Sequence, residues 1–147
     1  MGFEIKDNVL VKYKDEEGVS EITVPDGVTE IAEGAFVACD ITKVILPSSI
    51  EHIRDRAFLG CLKLTEIVMH DGITSIGEEA FSDCSIVHLQ LPRTLKTIEQ
   101  AAFMHSDSWR YDDLQTMEEF VIPESVVEIG KRAFERLKVR KIGRAHV

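Results

Sequence analysis

The motif Ala-Phe-x-x-Cys occurs three times in this chain, at Ala35-Phe36 with Cys39, Ala57-Phe58 with Cys61 and Ala80-Phe81 with Cys84. The Ala-Phe pair returns at Ala102-Phe103 and Ala133-Phe134. Successive pairs are spaced by about 22–23 positions, except the last, where the spacing is about 31. A chain with this period folds as a solenoid. A unit of that length makes one coil, which cannot bury its apolar side alone and must stack on its neighbours.

The repeats align on one another without a second sequence. Before each Ala-Phe stands an isoleucine: Ile31, Ile53, Ile76, Ile98 and Ile129. Three residues earlier comes another aliphatic (Val28, Ile50, Ile73, Leu95, Val126), and three earlier again a proline or its substitute (Pro25, Pro47, His70, Pro92, Pro123). A short alternating run precedes that: Ile22-Thr23-Val24, Val44-Ile45-Leu46, Ile67-Val68-Met69, Leu89-Gln90-Leu91 and Phe120-Val121-Ile122.

Each segment has a physical reading. The alternating run, rich in β-branched residues, suits a short strand with every second side chain inward. Proline ends it because it offers the ladder no N–H. Asp26-Gly27 and Asp71-Gly72 are turn dipeptides, and Ser48-Ser49 and Glu124-Ser125 serve the same bend. From Val28 the apolar residues fall at Val28, Ile31, Ala35, Phe36 and Cys39, a helical or 3₁₀-like period long enough for one turn packed on a core. Strands stacked at roughly 4.8 Å per coil would build one parallel sheet along the solenoid.

The whole unit resembles the BspA-like, Treponema-type leucine-rich repeat. Ile76-Gly77 with Ala80-Phe81-Ser82-Asp83-Cys84, and Ile129-Gly130 with Ala133-Phe134, are close matches, and the likeness runs from about Val19 to Ile142. Ser106 and Leu137 stand where the family has Cys, and His70 where it has Pro. The resemblance implies a leucine-rich-repeat solenoid of right-handed α/β type. It would have a parallel sheet on one face and short helical or 3₁₀ turns on the other. About five repeats would share a period of about 22–23, one of them extended to about 31. The resemblance also implies protein–protein binding or adhesion and brings no catalytic residues, cofactor or metal.

Composition narrows the partners. The chain has 147 residues, 44% hydrophobic and 29% charged, with a formal net charge of −9. That charge argues against nucleic acid, which wants a basic footprint, and against anionic lipid surfaces. No stretch has the length and apolarity of a membrane-spanning helix. The three cysteines recur at one repeat position, so they belong in an inward column as small buried hydrophobes. That placement leaves no zinc site, redox switch or nucleophile. His70 and His88 fall on adjacent coils, a spacing more often met in scattered surface histidines than in a metal site. No phosphate loop, Gly-x-Ser-x-Gly or His-Glu-x-x-His motif is present. No secretory apolar segment precedes Phe3, which read literally is an intracellular setting; the resemblance points instead to the cell surface or secretion, as for a fragment of a larger surface protein.

The ends are read separately. Phe3 to Tyr13 is expected to form two short strands around a turn, and residues 1–18 together an N-terminal capping hairpin over a solenoid at 19–141. Val139 to Ile142 begins another strand in register. Residues 142–147, Ile-Gly-Arg-Ala-His-Val, match the translation of a common sequencing-adapter string. They are expected to be a non-native tail, with the natural protein continuing past about Lys141. A last coil without a cap would fray and could pair end to end with another copy.

Two candidate surfaces emerge. The long interval between Phe103 and Phe134 holds an insertion near Asp107 to Gln115, including Trp109, Arg110 and Tyr111. These are the residue types that dominate binding hot spots; the competing reading is that Trp109 packs back on its own coil. The second surface is the outward strand face, where Thr23, Ile45, Val68, Gln90 and Val121 form a rather apolar column beside His88. Such a column marks either a contact surface or a β-branched ladder that stabilises its own sheet. The expected function is therefore a non-catalytic protein-binding or adhesion module with an unidentified protein ligand. Alternatives are a structural spacer of a larger surface protein, or a binding piece of an enzyme whose catalytic part lies elsewhere.

Overall fold

The alternating runs form the first ladder of the solenoid. In the computed structural model, which describes residues 2–106 and 114–145, β3 (Glu21–Thr23), β5 (Lys43–Ile45), β7 (Glu66–Val68) and β9 (His88–Leu89) make a four-stranded parallel sheet. Register follows the repeat: Glu21, Lys43, Glu66 and His88 lie side by side, as do Ile22, Val44, Ile67 and Leu89. Ile22, Val44 and Ile67 are buried between exposed or half-buried neighbours, as a period of two requires.

A second sheet runs along another side of the coil. β4 (Glu30–Ile31), β6 (His52–Ile53), β8 (Ser75–Ile76), β10 (Thr97–Ile98) and β12 (Glu128–Ile129) pair in parallel. At its start β1 (Phe3–Lys6) and β2 (Val9–Tyr13) form an antiparallel hairpin, and β2 pairs with β4. Asp7 and Asn8 both have positive φ (52° and 65°), the geometry of a two-residue hairpin turn whose twist matches its strands.

The third side carries Ala-Phe, and here the expected helical or 3₁₀ turns do not develop into a helix. No helix occurs among the described residues. Isolated turns closed by bonds such as Ala35 N–H to the Ala32 carbonyl and Cys39 N–H to the Phe36 carbonyl (both 3.1 Å) take its place. A left-handed residue sits directly before every pair (Gly34, Arg56, Glu79, Ala101 and Arg132), and another just after four of the five (Ala38, Gly60, Asp83 and Arg136). An α-helix cannot pass through a left-handed residue, so the turn is never propagated. The coils are joined instead by straight hydrogen bonds: Phe36, Phe58, Phe81 and Phe103 each donate N–H to the alanine carbonyl of the next coil at 2.7–2.8 Å.

The core is a set of columns. Phe36, Phe58, Phe81 and Phe103 stack nearly parallel at centroid separations of 4.6, 5.0 and 5.3 Å, and Tyr13 covers Phe36 at 5.2 Å. Each such pair adds about 0.5–1.5 kcal/mol beyond its buried area. Ile31, Ile53, Ile76 and Ile98 form a second buried column. Cys39, Cys61 and Cys84 form a third, all buried and free. The Cys61 thiol donates to the Phe36 carbonyl at 2.9 Å and the Cys84 thiol to the Phe58 carbonyl at 3.1 Å. Burial pushes the Cys39 thiol up to about 12, with Asp15 adding to the rise, and burial likewise raises Cys84 well above an ordinary thiol.

Candidate binding face and an opened ladder

The outward side chains of the first ladder divide the predicted site residues into three groups. Ile45 and Val68 are register partners on β5 and β7 and both are half-buried, each covering its neighbour. His88 is exposed beside Glu66, and the Lys43 ammonium lies 3.7 Å from the Glu66 carboxylate. An ion pair this exposed contributes little, about 0–1 kcal/mol. Gln90, directly after β9, and Val121, 43% exposed, stand on separate sheets' strands or their ends. Trp109, Arg110 and Tyr111 lie outside the described residues.

Between the fourth and fifth coils the first ladder breaks. β11 (Met117–Ile122) does not continue the sheet of β9; it pairs in parallel with β13 (Val139–Arg144) in a separate two-stranded sheet. The break is confined to this side. β10 and β12 remain paired, and Phe103 N–H still donates to the Ala133 carbonyl at 2.8 Å. In sequence, the insertion of the long interval ends just before β11.

Phe120 occupies the inward position that Ile22, Val44, Ile67 and Leu89 hold in the other coils. Its larger ring meets Phe103 edge-on (5.2 Å, 71°) and tilts against Phe134 (5.0 Å), while Phe103 and Phe134 stand 6.1 Å apart. On this side lies a cleft of about 770 Å³ lined by Leu89, Gln90, Leu91, Val121 and Pro123, with Arg93, Glu119 and Glu124 among the polar residues at its walls. Sequence reasoning missed this cleft. Its only signals were the long interval and the one aromatic residue in an otherwise aliphatic column.

Stacked coils of near-equal length, with inward aliphatic columns and an aromatic spine, define a repeat solenoid whose usable surfaces are its sides. Over residues 12–110 and 108–144 the chain matches the BspA type leucine rich repeat region, in 6 copies, and it belongs to that family. Repeats of this family commonly mediate protein binding or adhesion. Among solved structures it is similar to a leucine-rich repeat protein of Treponema pallidum, at 28% identity and a TM-score of 0.75 over 95% of this chain and 66% of that one. A leucine-rich repeat protein of Bacteroides ovatus is 26% identical, with a TM-score of 0.56 over 82% of this chain and 35% of the other. The pneumococcal vaccine antigen PcpA shares the fold at 20% identity, with a TM-score of 0.67 over 97% of this chain and 47% of its own. The chain thus spans only part of the length of each of these relatives. Comparison with curated proteins gives no match. Among the described residues no helix is long and apolar enough to cross a membrane, and no group of three or more His, Cys, Asp or Glu is placed to hold a metal ion.

Proposed function

We propose that this chain is a non-catalytic protein-binding or adhesion module that uses the outward face of its first strand ladder. The observation carrying this reading is the apolar column of that face. Ile45 and Val68 stand together in register on a rigid sheet and Val121 is exposed further along, although an outward strand position at a sheet surface is ordinarily polar. His88 and Gln90 supply donors and acceptors beside them. Trp109, Arg110 and Tyr111 are proposed as a second contact on residue type alone. Val127 and Ile129, exposed on the last described coils, offer a further surface through which two copies could meet end to end.

The test is to select binders from a random peptide display library and map where they land. Binders should lose about tenfold or more in affinity for an Ile45→Glu, Val68→Glu double variant, since each truncated contact of this kind is worth about 1–2 kcal/mol. Leu62→Glu, in the turn after Cys61, should leave them unchanged. Equal sensitivity to both variants would contradict the reading. Failure to select any binder would favour the structural-spacer alternative.

A further inference from the structure

The cleft between the fourth and fifth coils is bounded by two strand edges that face each other unpaired. In the regular part of the ladder Val24 N–H donates to the Ile45 carbonyl (2.9 Å) and Leu46 N–H to the Val68 carbonyl (3.0 Å). Among the described residues the bond is already absent between Met69 N–H and the Gln90 carbonyl, where β7 and β9 still pair; at Leu91 N–H and the Val121 carbonyl it is absent again, and there the strands β9 and β11 do not pair at all. Strand alternation fixes where these groups point. The Ile122 carbonyl accepts from Ala145 N–H (2.9 Å) on the β13 side, so the N–H and carbonyl of Val121 turn the other way, towards β9. Leu91 lines the cleft and its N–H is bonded to no other described residue, so it is available to an incoming acceptor.

We infer that this cleft takes up an extended segment of a partner protein as an added strand between β9 and β11, restoring the first ladder from the fourth coil to the fifth. This rests on the binding role proposed for the same face and names how the partner is held. Main-chain hydrogen bonds to both edges give the affinity, as in other strand-addition complexes, and Leu89, Leu91 and Pro123 receive alternate side chains. Charge settles the partner's chemistry. The one cation on the cleft wall among the described residues, Arg93, is already held by Asp71 at 2.8 Å, and Glu119 has Lys141 at 3.7 Å. The Glu124 carboxylate has no ion pair among the described residues, and the chain as a whole carries −9. The segment that fits is therefore apolar in alternation and basic at its exposed positions.

The experiment uses a panel of end-blocked heptapeptides with Val, Ile or Leu alternating with Thr and with Lys at both ends. Each is compared with a twin N-methylated at alternate residues, which removes N–H donors while leaving the side chains in place. Binding is followed by fluorescence anisotropy and by amide hydrogen exchange of the whole chain. N-methylation should weaken binding about tenfold or more, the effect of losing one or two hydrogen bonds, and bound peptide should slow exchange at Leu91 and Val121 by about the same factor. Glu124→Lys should weaken the parent peptides several-fold without moving the melting temperature. The inference is overturned if no panel member binds at millimolar concentration, if the twins bind equally, or if those amides are already protected in the free chain because the cleft is filled from within. Any of these results leaves the binding face itself standing, provided selected binders still depend on Ile45 and Val68.

Discussion

A column of left-handed residues runs before the Ala-Phe pairs through every coil, and a second column follows the pair in four of the five. Arg56, Glu79, Ala101 and Arg132 adopt φ between 56° and 61°, a conformation that costs an ordinary residue about 1–2 kcal/mol. Stacking imposes it: the N–H groups of Arg56, Glu79 and Ala101 each reach a carbonyl of the next coil at 2.8–3.0 Å. These columns are invisible in the sequence, because Arg, Glu and Ala give no signal for positive φ. The repeat's Ile-Gly step is visible there but unexplained. At Gly77 a Cβ would lie 2.5 Å from the Asp55 nitrogen, and at Gly130 2.3 Å from the Gln100 nitrogen, so at these steps the coils touch through bare backbone. Gly77→Ala should accordingly destabilise the chain by about 1–3 kcal/mol, the usual result of overpacking, read as a lower denaturation midpoint. An unchanged midpoint would show that the coils separate there at no cost.

At the scale of elements, three lines of hydrogen bonds hold the coils together, and only one is legible in the sequence. The alternating runs announce the first ladder because inward Ile22, Val44 and Ile67 differ in type from their neighbours. The second ladder has strands of two residues, too short for any alternation to show. The third reads by spacing as a helical face, since spacing records which residues point inward but not the sign of φ between them. The cysteine column is readable, and it makes a further prediction. Folding raises the Cys39 thiol above its unfolded range, to about 12, chiefly by burial. The stability it contributes is fully present below the unfolded value, about 8.5, and is lost as pH rises from there through the folded one. Burial also raises Tyr13, in the same coil interior, so both groups act in that alkaline window. Denaturation midpoints measured from pH 8 upward should therefore fall less steeply for Cys39→Ala than for the parent chain; parallel curves would remove the thiol from the account.

For the whole molecule, the decisive feature is that one side of the solenoid opens while the other two stay closed. The long interval before Ala133 marks where the rhythm fails, but not on which side of the coil the failure is absorbed. That follows from the intact β10–β12 pairing and the bond from Phe103 to Ala133, which leave the β9–β11 side free to part. Of the predicted contact residues, Ile45 and Val68 lie on the closed stretch, while Gln90 and Val121 both line the opening. The face is thus a closed apolar column leading to an open pair of strand edges.

Amide hydrogen exchange on the free chain tests this most directly. Leu46 N–H, bonded to Val68, should be protected close to the level of global unfolding, and Leu91 N–H, at the equivalent position two coils on, should exchange at least about a hundredfold faster. Equal protection at the two positions would mean that the ladder is closed along its whole length, and would contradict the account.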